Sequence, residues 1–314
     1  MYRIPNSKNW PADFVNQIIN DDAVSVLKRL PDECIALAVT SPPYWDVVDY
    51  SVDGQIGQSS YEKYIQDLLA VWAATERVLI PNGKLAIVTP IMPIPKSVIG
   101  DQHTRHLKNI SADIDYSILS NIPTLNRYSL FVWQKQTTTK MFGSYPYPPN
   151  LYEDNTIEFI SVFVKDGPPP NIPKDAKESS KLSQAEWLNL TAQVWPMYPE
   201  DVTRSGGHPA PFPVVLPQRL ILMYTFQRSE EQNFAGDIVL DMFNGSGSTC
   251  LAAKATNRNY IGIDLNPDYC EFARQRVKYD YVDAHQIMLE RVSVKAPANS
   301  QHGQQLQLFA DESE

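Results

Sequence analysis

Apolar runs rich in β-branched and aromatic residues alternate along the chain with segments in which apolar residues recur at helical spacing. The runs that predict strands cover residues 32–41, 84–89, 127–135, 156–165, 236–243 and 260–265. The segments that predict helices begin after Ser59 or Ser60, at Cys250 and at Glu271. Strands that alternate with helices in this way are typical of an α/β fold with a mostly parallel sheet.

Two polar stretches interrupt this alternation. Residues 166–182 are rich in proline and polar side chains, which predicts a connector. Residues 295–314 end the chain with a polar sequence that predicts a disordered tail. We therefore expect one domain over residues 1–294, followed by that tail.

The strand over 32–41 ends in Ser41-Pro42-Pro43-Tyr44, which is an unusual way to leave a sheet. Proline lacks an N–H and has a fixed φ, so this segment can neither extend a ladder nor begin a helix smoothly. It forms a stiff projection that carries a hydroxyl, carbonyl oxygens and an aromatic ring. These groups suit a binding or catalytic site better than a simple turn, which more often uses Gly, Asn or Asp.

A glycine-rich loop follows the strand over 236–243 and precedes a helix. Gly245 and Gly247 allow the backbone to approach a ligand closely. The next strand ends at Asp264, nineteen residues after Gly245. An acidic residue at about 20 residues' separation contacts ribose hydroxyls in nucleotide-binding βαβ units. Because the third glycine of a dinucleotide fingerprint and a GK[ST] sequence are absent, a nucleoside cofactor without a pyrophosphate is favoured.

Composition narrows the choice of function. The net charge of −9 argues against indiscriminate nucleic-acid binding, although residues 84–146 hold seven Lys and Arg against three Asp. The three cysteines lack CxxC spacing, so we expect neither a disulfide framework nor a metal site. No apolar run reaches the ~18 residues of a membrane span and no signal peptide is visible, which predicts a cytoplasmic protein.

The two motifs together resemble those of the DNA amino-methyltransferases, which transfer a methyl group from S-adenosylmethionine to an exocyclic base nitrogen. The family's (Asp/Asn/Ser)-Pro-Pro-(Tyr/Phe/Trp) motif corresponds to Ser41–Tyr44, and its Asp-Pro-Phe-x-Gly-Ser-Gly-Thr-Thr-like loop corresponds to Asp241–Thr249. The catalytic motif comes first, as in the circularly permuted beta group. Other segments similar to that group are Asn20-Asp21-Asp22, LKRLPDEC (27–34), RVLIPNGKLAIV (77–88), FVWQK (131–135), EFISVFVK (158–165) and His208–Pro213. Asp21 departs from the group's usual Gly, and Met242 from its usual Pro.

The resemblance covers residues 15–280 and implies a Rossmann-like class I methyltransferase fold with a mostly parallel, seven-stranded sheet. It implies a catalytic half over about 15–165, a variable target-recognition segment over about 166–205 and a cofactor half over about 206–280. The side chains in that variable segment that are candidates for reading bases are Lys174, Lys177, Lys181, Trp187, Trp195 and Arg204.

The same resemblance assigns the catalytic role to Ser41, Pro42, Pro43 and Tyr44. The Ser41 hydroxyl and the Pro42 carbonyl would accept hydrogen bonds from the target amine, and Tyr44 would stack on a base flipped out of the duplex. Serine at the first motif position favours N4 of cytosine, with N6 of adenine as the alternative. A more remote alternative is a non-catalytic DNA-binding protein.

The cofactor implied by the resemblance is S-adenosyl-L-methionine. Asp264 would bind its ribose, Asp22 its adenine amine, and the segment from His208 to Pro213 its methionine end. The complete set of implied cofactor-binding residues is Asp22, His208, Pro209, Phe212, Asp241, Phe243, Asn244, Gly245, Ser246, Gly247, Thr249 and Asp264.

Double-stranded DNA is the expected partner of such an enzyme, and its phosphates would contact the basic side chains of Arg105, Lys108, Lys135 and Lys140. Near the end of the chain, Gln305-Leu306-Gln307-Leu308-Phe309 resembles the Gln-Leu-x-Leu-Phe peptide with which bacterial proteins dock on the replication sliding clamp. Gln305, Leu306, Leu308 and Phe309 therefore predict a second partner. A bacterial or phage-encoded protein of restriction–modification type, associated with the nucleoid, is expected.

Three other enzyme classes fit the motifs less well. A dehydrogenase would need the third glycine of its cofactor loop, and a cytosine C5 methyltransferase would need a Pro-Cys nucleophile. No cysteine here follows a proline. A protein glutamine methyltransferase places its cofactor motif before its Asn-Pro-Pro-Tyr segment, which is the opposite of the order here.

Overall fold

The computed structural model describes residues 10–45, 54–93, 106–137, 140, 142–200, 211–231, 233–284 and 287–289. The strands are β1 (Gln17–Asn20), β2 (Ile35–Thr40), β3 (Leu79–Pro90), β4 (Met92–Pro93), β5 (Leu107–Lys108), β6 (Leu125–Lys135), β7 (Phe142–Gly143), β8 (Leu151–Tyr152), β9 (Ile157–Lys165), β10 (Val194–Met197), β11 (Ile238–Asp241) and β12 (Asn259–Asp264). The helices are α1 (Ala23–Arg29), α2 (Tyr61–Val78), α3 (Ile110–Asn121), α4 (Lys174–Ser179), α5 (Gln184–Leu190), α6 (Val215–Tyr224), α7 (Ser248–Ala255) and α8 (Pro267–Tyr279).

The main sheet has the strand order β1-β12-β11-β2-β3-β9-β6-β10. Every neighbouring pair is parallel except those of β9, which runs antiparallel to both β3 and β6. The α/β class and the mostly parallel sheet are therefore confirmed. Two further hairpins, β4–β5 and β7–β8, lie outside this sheet.

The expected count of seven strands was wrong for the described residues, because the main sheet contains eight. Two of its strands, β1 and β10, were not among the six predicted segments, and β10 pairs in parallel with β6 at the sheet edge and contains Pro196. Proline inside an apolar segment argues against a strand, but an edge strand tolerates it because one of its sides has no partner. The recognition segment predicted over 166–205 thus contributes a strand to the sheet.

Helices cover both faces of the sheet, and the side chains of β3 show how the core divides. Leu85 and Ile87 pack in the cluster formed with α1, α2 and α3, whereas Ala86 and Val88 pack in the cluster formed with α6 and α7. Successive residues of a strand point to opposite faces, so a strand that is covered on both sides is apolar throughout. This explains the continuous burial of β2 and of the second half of β3.

Polar caps define where the helices near the strand ends begin. Asp22 accepts a hydrogen bond from the Ser25 N–H at 2.8 Å to start α1, and Ser60 accepts one from the Lys63 N–H at 3.2 Å to start α2. Within the described part of the chain, no helix is long and apolar enough to cross a membrane. The predicted tail over 295–314 lies outside the described residues.

Candidate active site

The two sequence motifs meet because the strands that carry them are neighbours. Ser41 follows β2, Asp241 ends β11, and these strands pair in parallel, so their carboxyl ends share one edge of the sheet. A buried hydrogen bond of 2.7 Å from the Thr40 hydroxyl to Asp241 Oδ1 links the two strand ends. Open α/β sheets bind ligands at this edge.

A cavity of about 930 Å³, including solvent at its mouth, opens at this edge. The site residues predicted from the sequence that line it are Asp22, Ser41, Pro43, Tyr44, Phe212, Phe243, Asn244, Gly245, Ser246 and Asp264. The other lining residues are Asp21, Ala23, Gly54, Gln55, Ile56, Pro211, Met242, Ser248, Leu265 and Asn266. Both motifs therefore contribute to a single cavity.

Hydrogen bonds hold the Ser-Pro-Pro-Tyr segment in place. The Ser41 Oγ and the Tyr44 hydroxyl lie 3.2 Å apart. The hydroxyl of Tyr64, on α2, donates to the Pro43 carbonyl at 3.0 Å. Pro42 is buried and does not line the cavity, whereas its neighbours Ser41 and Pro43 do. The segment is therefore fixed on both sides of Pro42.

The glycine-rich loop needs glycine at Gly247 for two separate reasons. Its φ of 83° lies in the left-handed region, which other residues rarely adopt. A Cβ added there would lie 2.8 Å from the Cβ of Ala273, on α8. The loop can therefore pack closely under the cavity and begin α7 immediately afterwards.

Asp264 stabilises this loop from the end of β12. Its Oδ2 accepts a hydrogen bond from the Gly245 N–H at 2.7 Å, and its Oδ1 accepts one from the Asn266 N–H at 2.9 Å. Burial raises the pKa of this carboxyl, and the two backbone hydrogen bonds oppose that shift. Each oxygen has further lone-pair capacity, so the carboxylate can also accept hydrogen bonds from a ligand in the cavity.

Several residues that were predicted to bind the cofactor do not line the cavity. The carboxyl of Asp241 is buried behind it and accepts hydrogen bonds from Thr40 and from the Phe243 N–H. Burial raises the pKa of Asp241 to about 6. Gly247 and Thr249 are buried in and below the loop. His208 and Pro209 lie outside the described residues.

Sequence reasoning missed a buried arginine beneath the loop. Arg276, on α8, places its Nη1 3.1 Å from the Ser246 hydroxyl and 3.2 Å from the Ser248 hydroxyl. Its Nη2 pairs with Glu200 at 3.1 Å. Ser246 and Ser248 both line the cavity, so Arg276 fixes two of its polar groups. An arginine in an amphipathic helix usually faces solvent, which is why the sequence contained no signal for this contact.

The basic region over 84–146 is not one cationic surface. Lys84 is buried and lies over the rings of Tyr128 and Tyr224, while Arg127 forms an ion pair with Asp115. Of the four proposed phosphate contacts, Lys135 pairs with Glu158 at 2.6 Å and Lys108 lies 4.1 Å above the ring of Tyr61. Lys140 is exposed, and Arg105 lies outside the described residues. Their contacts with DNA stay predictions.

The residues predicted to recognise DNA bases also differ in their exposure to solvent. Trp195 is fully buried, stacked on Phe131 with a centroid distance of 4.6 Å and covered by Arg219. It is therefore a core residue and is not accessible for reading bases. Trp187, on α5, is 61% exposed. Arg204 lies outside the described residues.

Comparisons with known proteins identify the family to which the chain belongs. A family model described as DNA methylase, for enzymes of N6 and N4 type, matches residues 35–275. The Type II methyltransferase M.MthZI of Methanothermobacter thermautotrophicus is 28% identical, over 85% of this chain and 78% of its own length. The Type II methyltransferase M.BglI of Bacillus subtilis is 26% identical, over 95% of this chain and 97% of its own length.

A solved structure also matches. The DNA modification methylase TTHA0409 of Thermus thermophilus, complexed with S-adenosyl-L-methionine, is 27% identical and has a TM-score of 0.66, with coverage of 83% of this chain and 92% of that chain. The family match spans both Ser41–Tyr44 and Asp241–Asp264, which are the segments that form the cavity. The chain therefore belongs to the DNA methylase family of N6 and N4 amino-methyltransferases, whose cofactor is S-adenosylmethionine.

Proposed function

We propose that this protein transfers a methyl group from S-adenosylmethionine to N4 of a cytosine that has been flipped out of double-stranded DNA. The observation that carries the proposal is the shared cavity, in which Ser41 and Tyr44 face the glycine-rich loop and Asp264. An amine acceptor and a nucleoside cofactor would thus occupy adjacent parts of one site. Methyl transfer by direct displacement requires this proximity.

The residues of the cavity fit the cofactor. Asp264 has acceptor capacity left for ribose hydroxyls, and the turn at Gly245, with its φ of 48°, brings backbone close to the ligand. Phe243, which packs edge-on against Trp72, would contact the methionine part, and Asp22 would accept from the adenine amine. The Ser246 and Ser248 hydroxyls held by Arg276 supply polar contacts on the same side.

The chemistry requires the amine to become a better nucleophile, because its lone pair is delocalised into the base ring. Bound S-adenosylmethionine supplies a methyl group on a positively charged sulfur, so transfer gives the methylated base, S-adenosylhomocysteine and a proton. Ser41 Oγ would accept from an amine N–H group and favour a tetrahedral nitrogen, whereas the Pro42 carbonyl, which the sequence predicts as the second acceptor, belongs to a residue that is buried and does not line the cavity. The prolines hold that carbonyl rigidly, and Tyr44 would restrain the base. No covalent protein intermediate is needed.

The identity of the base is tested by methylating unmodified DNA with the purified protein and labelled S-adenosylmethionine, then digesting the DNA and analysing its nucleosides by mass spectrometry. The proposal predicts N4-methylcytosine. N6-methyladenine would instead establish the alternative activity, which the family match also allows. DNA that binds but remains unmethylated would favour the non-catalytic alternative and contradict the proposal.

We also propose that Gln305, Leu306, Leu308 and Phe309 dock on the bacterial sliding clamp, which would couple methylation to replication at the nucleoid. Support comes from the peptide sequence alone, because these residues lie outside the described part of the chain. Surface-binding measurements on purified clamp should show binding of the wild type and a loss in the Leu308→Ala/Phe309→Ala double variant. No binding of the wild type at tens of micromolar would refute the docking.

A further inference from the structure

A buried carboxylate lies beside the Ser-Pro-Pro-Tyr segment. Glu158, near the start of β9, is 5% exposed and sits in the sheet between Pro90 of β3 and Trp133 of β6. Its Oε1 lies 2.6 Å from the Nζ of Lys135, at the end of β6. Burying a carboxylate is costly unless it is paired, so the lysine allows Glu158 to stay ionised there.

Glu158 connects to Ser41 through one intervening side chain. The Tyr44 hydroxyl lies within hydrogen-bonding reach of the Glu158 carboxyl, and it lies 3.2 Å from Ser41 Oγ. All of these groups are at the carboxyl edge of the sheet, because β2, β3 and β6 point the same way. Lys135, Glu158, Tyr44 and Ser41 thus form one continuous row that ends in the cavity.

The direction of each hydrogen bond in this row follows from hydrogen counting. An ionised carboxylate only accepts, and a tyrosine hydroxyl has one hydrogen to donate. Tyr44 therefore donates to Glu158, and its oxygen accepts the hydrogen of Ser41. Ser41 has then used its single hydrogen, and what it presents to the cavity is lone pairs.

We infer that the Glu158–Lys135 pair is a positioning device that makes Ser41 an obligate hydrogen-bond acceptor toward the target base. The inference rests on the proposed function and deepens it. An acceptor at this point selects a base that presents an N–H group, as cytosine and adenine do, over one that presents a carbonyl there, as thymine and guanine do. Glu158 and Lys135 act through Tyr44 and are positioning residues, since neither lines the cavity.

Protonation of Glu158 would reverse the direction of the hydrogen bonds that join Glu158, Tyr44 and Ser41. A protonated carboxyl could donate to Tyr44, which would then donate its own hydrogen to Ser41. Burial raises the pKa of Glu158, while Lys135 from β6 and Tyr44 from the segment after β2 oppose the shift. The residue that faces it from β3 is not titratable, because Pro90 occupies that position. Turnover should accordingly fall as the pH is lowered.

The test is steady-state kinetics of Glu158→Gln with labelled S-adenosylmethionine and DNA, accompanied by calorimetry of cofactor binding. We expect kcat to fall by about 10- to 100-fold, which is typical for a lost orienting interaction, with cofactor Kd and the KM for DNA within about twofold of wild type. In a Tyr44→Phe background, Glu158→Gln should add almost nothing further, because the row is already broken.

A matched control lies at the other end of β9. Glu76 pairs with Lys165, the last residue of that strand, at 3.4 Å, and Glu76→Gln removes the same charge from the same kind of pair away from the cavity. This variant should retain wild-type kcat. If both Gln variants lose kcat equally, or if the effects of Glu158→Gln and Tyr44→Phe multiply, the inference is wrong.

A second measurement covers the case in which Glu158→Gln does not fold. Lys135→Gln removes the partner that keeps Glu158 ionised, so the acidic limb of its kcat–pH profile should move to higher pH. An unmoved limb would overturn the inference. Failure of the proposed function is distinguishable, because the wild type would then transfer no label to DNA or would place it on adenine N6, whereas failure of this inference alone leaves wild-type transfer to cytosine intact.

Discussion

The Asp264 carboxylate accepts a hydrogen bond from the Gly245 N–H at 2.7 Å, which ties the end of β12 to the loop after β11. The same side chain lines the cavity. One carboxylate therefore both shapes the loop and remains available to a ligand.

Asp264→Ala should weaken S-adenosylmethionine binding by at least about tenfold, because both the ribose contact and the Gly245 restraint are lost. Isothermal titration calorimetry measures this directly. Asp268→Ala, which changes an exposed aspartate in the first turn of α8, is the matched control and should bind normally. Normal affinity in Asp264→Ala would remove Asp264 from the cofactor site.

Ser41→Ala should bind the cofactor as the wild type does and lose at least about 100-fold in kcat, since only the acceptor for the amine is removed. Single-turnover transfer of labelled methyl groups to DNA is the appropriate measurement. Ser120→Ala, at an exposed position of α3, serves as the control. A Ser41→Ala protein with wild-type turnover would show that the hydroxyl has no part in the chemistry.

Gly247→Ala should destabilise the protein more than Gly54→Ala does. Both glycines have a φ of 83°, so both variants carry the same backbone strain. A Cβ at Gly54 meets nothing within 4 Å, whereas one at Gly247 would lie 2.8 Å from the Cβ of Ala273. The difference in the free energy of unfolding isolates the steric term, which we expect to be about 1–3 kcal/mol. Denaturant titration of the two variants checks it, and equal losses would contradict the close packing.

The buried carboxyl of Asp241 should make stability depend on pH. Its pKa is raised by burial from 3.8 to about 6, so the native state binds a proton more readily than the unfolded state between these values. Stability therefore falls as the pH rises from about 4 to about 6. Asp241→Asn has no such titration, and its stability relative to wild type should increase by about 2 kcal/mol from pH 4 to pH 7. Chemical denaturation at both pH values measures this difference.

The pKa of Asp237 is also raised to about 6. Because Asp237 is present in both proteins, its pH-dependent contribution to stability cancels when the two are compared. A pH-independent difference between wild type and Asp241→Asn would show that Asp241 ionises in the native state as it does in the unfolded chain.

The sequence predicted the position of a structural feature wherever the backbone preferences of proline or glycine determine that feature. The Ser41–Tyr44 segment and the loop around Gly245 could be located because proline restricts the backbone and glycine permits conformations that other residues rarely adopt. It was uninformative where tertiary packing decides. The burial of Lys84 and Arg276 was not predicted, and neither was β10, because its Pro196 argues against a strand. The burial of a charge depends on distant residues that supply its partners, and periodicity does not contain that information.

The anchoring of the segment over 166–200 has a consequence for how such a protein can change over evolution. Arg219, on α6, covers Trp195 and donates to both the side chain and the backbone carbonyl of Asn189, which attaches the inner side of this segment to α6. Its outer side, with Trp187 and Leu188 on α5, is exposed. Substitutions on exposed positions usually alter stability by less than about 0.5 kcal/mol. The outer side chains can therefore be replaced while the buried contacts of Arg219 are kept. Substitutions can thus change the exposed surface of this segment without destabilising the fold.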